Sequence, residues 1–251
     1  MLSLPGPPRH HSEPEHFMRV LVVQNFDGTG LGQMAIALDE AGAEVELVRV
    51  HHGEALPQTP DGHAALVVLG GGQNALADDT NPYFPELLSL MRAFGDSGRS
   101  VLGICLGSQL LARAYSGENI VGGAEEFGWR QVELTPEGGS DPLFAGVEAS
   151  FPIFQWHDDT FILPRGATRL AGNLDVHNQA FRIGRAAYGV QFHFEADRSL
   201  VKQWNEAFAA WLAERQPDWS ERHPADAERF GPQADAVGLA IARNWVTTIR
   251  A

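Results

Sequence analysis

The 251-residue chain has one cysteine, Cys105, and it stands in Gly103-Ile104-Cys105-Leu106-Gly107, a Gly-x-Cys-x-Gly pattern between an apolar run and a helical one. A nucleophile on a sharp strand-to-helix turn is held above its sheet in a strained backbone conformation. Gly103 and Gly107 lack Cβ atoms, so neighbouring backbone can approach that turn closely. The following helix offers free N–H groups and its dipole, which stabilise negative charge on the sulfur, and the Leu106 N–H points where an oxyanion would form. A second stretch, Tyr188-Gly189-Val190-Gln191-Phe192-His193-Phe194-Glu195, sets an imidazole and a carboxylate two residues apart. On a strand, residues i and i+2 share a face. Glu195 could then hold one ring nitrogen of His193 while the other exchanges a proton with Cys105. Cys105, His193 and Glu195 are thus the candidate nucleophile, base and orienting acid. Each half alone has a plainer reading: free cysteines are commonly small buried hydrophobes, and His-x-Glu pairs recur by chance on solvated surfaces. The paired glycines at a strand-turn-helix corner favour the chemical reading.

The elements that must position these groups follow from the hydrophobic pattern. Residues 18–24, 64–69 and 100–104 are short, nearly continuous apolar runs, as expected of strands buried on both faces of a parallel sheet. Residues 44–48 read as a further strand. Helices are expected over residues 31–41, 84–94 and from about 108 to 115, the first two stopped by Gly42 and Gly95. This order predicts an α/β fold with a doubly wound, mostly parallel sheet flanked by helices. Beyond Gly117, segments near residues 130–134, 151–156, 168–171, 179–182 and 187–192 read as additional strands, some antiparallel. Helices are expected over residues 199–214 and 234–250, with residues 217–231 irregular or partly helical. Residues 1–17, rich in Pro, His and Glu without an apolar core, read as a disordered leader. Residues 18–251 read as a single domain including a C-terminal helical extension.

Composition narrows the partners. With 18 Lys and Arg against 32 Asp and Glu, the formal net charge is −14, which disfavours nucleic acid and an anionic membrane surface. A lone cysteine permits no intramolecular disulfide and suits a reducing cytoplasm.

Gly103-Ile104-Cys105-Leu106-Gly107-Ser108-Gln109 resembles the signature of class I glutamine amidotransferases, whose glutaminase domains hydrolyse glutamine to glutamate and ammonia. The likeness runs from about Met18 to Asp197 and implies the flavodoxin-like class I glutamine amidotransferase fold, with His193 and Glu195 as the other catalytic groups. The family motif there is His-Pro-Glu, and Phe194 replaces its Pro. Val67-Val68-Leu69-Gly70-Gly71-Gly72-Gln73 resembles the family's strand ending in Gly-Gly-Pro, which implies the Gly71 N–H as partner to that of Leu106 in an oxyanion hole. Gly72 stands where Pro is usual, and the added freedom bears on whether the hole is preformed; a plain glycine-rich turn is the alternative. The segment lacks the Gly-Lys-Ser/Thr ending of a phosphate loop. The resemblance further implies substrate contacts from Gln109 and from Phe127, Gly128 and Trp129 in Glu126-Phe127-Gly128-Trp129. His157 in Gln155-Trp156-His157-Asp158-Asp159 falls in a segment near the family's active site; a structural histidine bonded to a carbonyl is the equal alternative.

The activity so implied is cysteine-dependent hydrolysis of a γ-glutamyl amide through a thioester, with no cofactor or metal required; no further ligand motif accompanies His157, Asp158 and Asp159. The substrate would be glutamine or a γ-glutamyl peptide, and a separately encoded synthetase subunit is a possible partner. Gln155-Trp156-His157 and Gln179-Ala180-Phe181-Arg182 resemble stand-alone relatives of the GMP synthase glutaminase domain, some of which are γ-glutamyl peptidases. A non-catalytic, redox-sensing relative is the alternative of another class, though such proteins often carry His directly after the elbow cysteine, where this chain has Leu106.

Overall fold

The computed structural model describes residues 18–250; the leader expected over residues 1–17 lies outside them. The chain runs β1 (Arg19–Gln24), α1 (Gln33–Glu40), β2 (Glu44–Arg49), β3 (Ala65–Val68), α2 (Phe84–Asp96), β4 (Ser100–Ile104) and α3 (Leu106–Ala114). It continues with β5 (Glu118–Ile120), β6 (Glu126–Leu134), α4 (Pro136–Gly139), β7 (Ser150–His157), β8 (Thr160–Ile162), β9 (Thr168–Gly172), β10 (Ala180–Ile183) and β11 (Ala187–Val190). Four helices follow: α5 (Arg198–Ala207), α6 (Ala209–Arg215), α7 (Trp219–Arg229) and α8 (Gly231–Thr247).

Nine strands form one sheet in the order β2-β1-β3-β4-β11-β10-β9-β6-β7. The first five are parallel, in the doubly wound order 2-1-3-4-5 once β11 is counted fifth. The remaining four pair antiparallel and extend one edge, through a register shift at Ala180/Phe181. The apolar runs are central strands: every residue of β3, β4 and β11 is buried. Alternation of side chains across the pleat divides the core in two. Val20, Val22, Leu102, Ile104 and Tyr188 face one layer, and Leu21, Val23, Val101 and Ala187 face the other. Helix α2 presents Phe84, Leu87, Leu90, Met91 and Phe94 to the second layer, at the spacing that places side chains on one helical face.

Two segments differ from their sequence expectation, and residues 217–231, read as irregular or partly helical, are mainly helical. The helix expected over residues 199–214 is broken at Phe208 (φ −110°, ψ 21°) into α5 and α6. Residues 219–229 form α7 although Pro224 lies inside it; Trp219, buried against Phe127 and Trp129, and Arg222, whose guanidinium carbon lies 4.5 Å from the Trp219 ring centroid, fix that helix by packing. Strands β5 and β8 form a separate two-stranded pair. Among the described residues no helix is long and apolar enough to cross a membrane.

Candidate active site

The carboxyl ends of parallel strands in an open α/β sheet form a crevice where ligands bind, and here the crevice is a cavity of about 520 Å³. Cys105 follows β4 directly, and its backbone has φ 51°, ψ −110°, in the region that disfavours a residue with a Cβ. The geometry explains the two glycines: a Cβ on Gly103 would lie 2.2 Å from Gly107 O, and one on Gly107 would lie 2.1 Å from Val68 O. The Cys105 N–H donates to Val190 O at 2.8 Å, tying the elbow to β11. Its Sγ lies 3.7 Å from Trp156 O. The helix α3 begins at Leu106, two residues before the sequence pattern suggests.

His193 and Glu195 do not lie on a strand. β11 ends at Val190, and both residues belong to the turn after it. They are nonetheless adjacent, with His193 Nδ1 2.6 Å from Glu195 Oε1 and both side chains buried. The His193 N–H donates to Phe154 O at 2.9 Å, which anchors the turn to β7. Burial disfavours the charged imidazole, but the Glu195 carboxylate, together with charge and hydrogen bonding at Cys105, outweighs it and raises the His193 pKa well above its ordinary value. With Nδ1 engaged by Glu195, Nε2 is left for the sulfur. The Trp204 ring stands edge-on to the imidazole, centroids 5.2 Å apart, and fixes its plane.

Gly71 and Leu106 line the cavity beside Cys105, and among the described residues neither backbone N–H has a protein acceptor. Gln109 also reaches the cavity, and its Nε2 donates to Gln191 Oε1 at 3.2 Å. His157 lines the edge, but both ring nitrogens are engaged: Nδ1–H donates to Asp159 O at 2.9 Å, and Nε2 faces Glu126 Oε2 at 3.1 Å. Burial pushes the Glu126 carboxyl up, yet bonds from His157, Asn173 and Gln179 hold it below the usual range.

Phe127, Gly128 and Trp129 are not brought to the cavity. β6 pairs with β7 so that Phe127 stands opposite Trp156, and the Phe127 ring packs edge-on to Trp156 and Trp219 from behind. Trp129 packs against Phe154, and Gly128 (φ 86°) leaves room for Trp219, whose ring a Cβ would meet at 3.1 Å. These residues support the wall instead of forming it.

The sequence reading missed that wall. Phe26, Trp156, Trp204, Phe208 and Trp211 form an aromatic part of the cavity lining. Residues 204, 208 and 211 stand at i, i+4 and i+7, a spacing that places them on one helical face. Gln33 was missed too, and no local pattern marks it. Its N–H donates to Glu195 O at 2.8 Å and its Nε2 to Phe194 O at 3.0 Å, clamping the turn that carries the imidazole and carboxylate.

Comparison with known proteins identifies the chain's relatives. The family model described as Glutamine amidotransferase class-I matches residues 23–204. A glutamine amidotransferase-like protein of Salmonella typhimurium, YfeJ, is 32% identical over 181 residues, 71% of this chain and 76% of that one. A glutamine-hydrolyzing GMP synthase of Vibrio vulnificus is 29% identical over 185 residues, but the match spans only 33% of that longer protein. The crystal structure of a glutamine amidotransferase from Thermotoga maritima superposes with a TM-score of 0.80 at 29% identity, over 94% of this chain and 100% of that one. A glutamine amidotransferase structure from Methylobacillus flagellatus, at 23% identity and TM-score 0.78, shares the fold over 93% of this chain and 96% of its own. On the length and identity of these matches, the chain belongs to the class I glutamine amidotransferase family.

Proposed function

We propose that the protein is a cysteine hydrolase of γ-glutamyl amides. The observation that carries this reading is that Cys105, on its strained elbow, and His193, held from behind by the buried Glu195, line one cavity. His193 holds the thiol proton as an imidazolium while Sγ adds to the γ-carbonyl carbon. The resulting oxyanion lies against the Gly71 and Leu106 N–H groups, where each well-aimed donor is worth roughly 3 kcal/mol. Collapse breaks the C–N bond, and the departing amine takes its proton from His193. Water then adds to the thioester, giving its proton to His193, and the C–S bond breaks to release glutamate and the thiol. Glu195 holds the imidazole in register and stabilises its charged form. Gln109 is proposed to contact the glutamyl group, and His157 to shape the rim.

A γ-glutamyl amide with a leaving group larger than ammonia is the second reading, and the cavity favours it. Glutamine, with about ten non-hydrogen atoms, would fill at most roughly 300 Å³ even at the volume share of liquid water per atom, against the 520 Å³ available. Five of the lining residues, Phe26, Trp156, Trp204, Phe208 and Trp211, are aromatic, which suits an apolar amine. Transfer of ammonia to a synthetase partner remains tied to the GMP synthase likeness, which spans a third of those proteins. The single cysteine suits action in the reducing cytoplasm.

The test is ammonia release from glutamine measured beside amine release from γ-glutamyl dipeptides, with intact-mass analysis after a diazo-ketone analogue of glutamine. One adduct per chain at Cys105, lost in Cys105→Ser and in His193→Ala, is expected. A Cys105 that is oxidised by peroxide yet ignores the analogue would overturn the reading in favour of a redox sensor.

A further inference from the structure

A second cluster of chemistry-bearing side chains stands at the rim of the cavity. Parallel pairing of β1 and β2 sets Gln24 opposite Arg49, so the loop after β1 and the turn after β2 emerge side by side. Asp27 on the first meets His51 and His52 on the second. His51 Nε2 lies 2.9 Å from Asp27 Oδ1, and His52 Nε2 lies 3.0 Å from Oδ1 and 3.1 Å from Oδ2. The three ligand atoms all fall within 4.8 Å of one another.

Donor and acceptor accounting shows what the cluster offers an ion. His51 Nδ1 is 2.9 Å from Gln24 O, a carbonyl that can only accept, so Nδ1 carries the hydrogen. In the neutral ring Nε2 then presents a lone pair, and it faces a carboxylate oxygen that presents another. A proton on Nε2 or a metal cation reconciles two acceptors at that distance, and His52 Nε2, converging on the same carboxylate, supplies the second nitrogen that a metal ion would use. A backbone carbonyl bonded to the far nitrogen is also the arrangement that orients metal-ligating histidines.

From this convergence we propose that Asp27, His51 and His52 form a binding site for a zinc-class divalent cation. Two imidazoles and a carboxylate are the ligand types that Zn²⁺ takes at about 2.0–2.2 Å, which in a tetrahedral site separates neighbouring ligand atoms by about 3.4 Å. The two nitrogen–carboxylate distances are a few tenths of an ångström shorter than that, so a modest opening admits the ion, and the exposed side leaves the fourth position to water. Mg²⁺ prefers an all-oxygen octahedral shell and does not fit this donor set.

Position gives the site its consequence. Asp27 lies between two cavity-lining residues, Phe26 and Gly28. The Phe26 ring stacks on Phe208 with centroids 5.9 Å apart, and Gly28 O accepts the Trp204 Nε1–H at 2.9 Å. An ion joining Asp27 to the turn after β2 would pin this loop against the aromatic wall. It takes no part in the cleavage step, so the site stands or falls independently of the amide-cleavage reading.

The test is calorimetric titration of the chelator-stripped full-length chain with zinc chloride, together with anomalous diffraction at the zinc edge. One ion per chain is expected, with an anomalous peak between Asp27, His51 and His52. Asp27→Asn and His52→Gln, both exposed and conservative, should each weaken binding at least tenfold, while Cys105→Ser leaves it unchanged and magnesium gives no heat. The proposal is overturned if no ion binds. It fails equally if the peak lies at Cys105 or near His10, His11 and His16, or if both rim variants bind as the wild type does.

Discussion

His193 Nδ1 and Glu195 Oε1 lie 2.6 Å apart in a turn, not along a strand, and the turn is held by a residue 161 positions away from Phe194 in sequence. Gln33 supplies both a backbone and a side-chain N–H to consecutive carbonyls of the turn. Two glycines make that approach possible. A Cβ on Gly32 would lie 2.0 Å from Glu195 O, and one on Gly238 would lie 2.2 Å from Phe194 O. The missing Pro of the family motif is therefore offset by contacts from α1 and α8.

Glu195→Gln separates the charge of the carboxylate from its shape. The carboxylate is the leading influence that raises the His193 pKa against the opposing effect of burial. Its removal lowers that pKa, so the imidazolium loses its proton at lower pH. We expect the alkaline limb of the kcat/KM profile to move down in pH, with kcat reduced about 10²–10⁴-fold. A profile measured on glutamine decides it; an unmoved limb would show that Glu195 does not hold the charge.

Gly238→Ala pits helix propensity against sterics. Alanine favours a helix interior by about 0.5–1 kcal/mol, but the added carbon meets Phe194 O at 2.2 Å and Gln33 Nε2 at 2.4 Å, so something must shift. Overpacking costs about 1–3 kcal/mol, and at about 2–4 °C per kcal/mol for a chain of this size the melting temperature should fall by several degrees. Gln33→Ala leaves a buried carbonyl short of a donor, at about 1–3 kcal/mol, and should lower kcat through the misplaced carboxylate. Calorimetry and initial rates on both variants check this; a Gly238→Ala protein more stable than the wild type would sink it.

The elbow carries its own contrast. Gly107→Ala places a carbon 2.1 Å from Val68 O, backbone against backbone, and should cost more than about 3 kcal/mol or abolish folding. Gly72→Ala meets nothing within 4 Å and should change stability by no more than about 0.5 kcal/mol. Urea unfolding of the pair measures both, and equal effects would mean that the α3–β3 contact is not what fixes glycine there.

What could be read from the sequence was local. Gly103-Ile104-Cys105-Leu106-Gly107 announces its turn because the strain and close approaches arise within a few residues. The strands expected over residues 100–104 and 64–69 are apolar because both faces are covered. What could not be read depends on partners distant in the chain. Phe127 and Trp129 look like candidates for a binding surface until Trp219 covers them, and α7, which carries Trp219, is concealed by Pro224. The break at Phe208 is likewise tertiary: its ring packs on Phe26 and Trp156, contacts no propensity scale contains.

That break yields the last prediction. Phe208, at the break, and Trp211, just beyond it, both line the cavity, where Trp211 leans on Trp156 with ring centroids 5.2 Å apart. Glutamine releases only ammonia and has no amine substituent to place against this wall, whereas a γ-glutamyl amide of an aromatic or branched amine does. Removing the Trp211 ring should therefore act on one substrate and spare the other. Trp211→Ala is expected to lower kcat/KM for γ-glutamyl-phenylalanine at least tenfold, equivalent to about 1.4 kcal/mol of transition-state stabilisation, while the value for glutamine changes less than twofold. Because the ring is only half-buried, the fold should tolerate its loss. A parallel fall for both substrates would instead make Trp211 a support for Trp156, and the surplus volume of the cavity would then have no bearing on which amine departs.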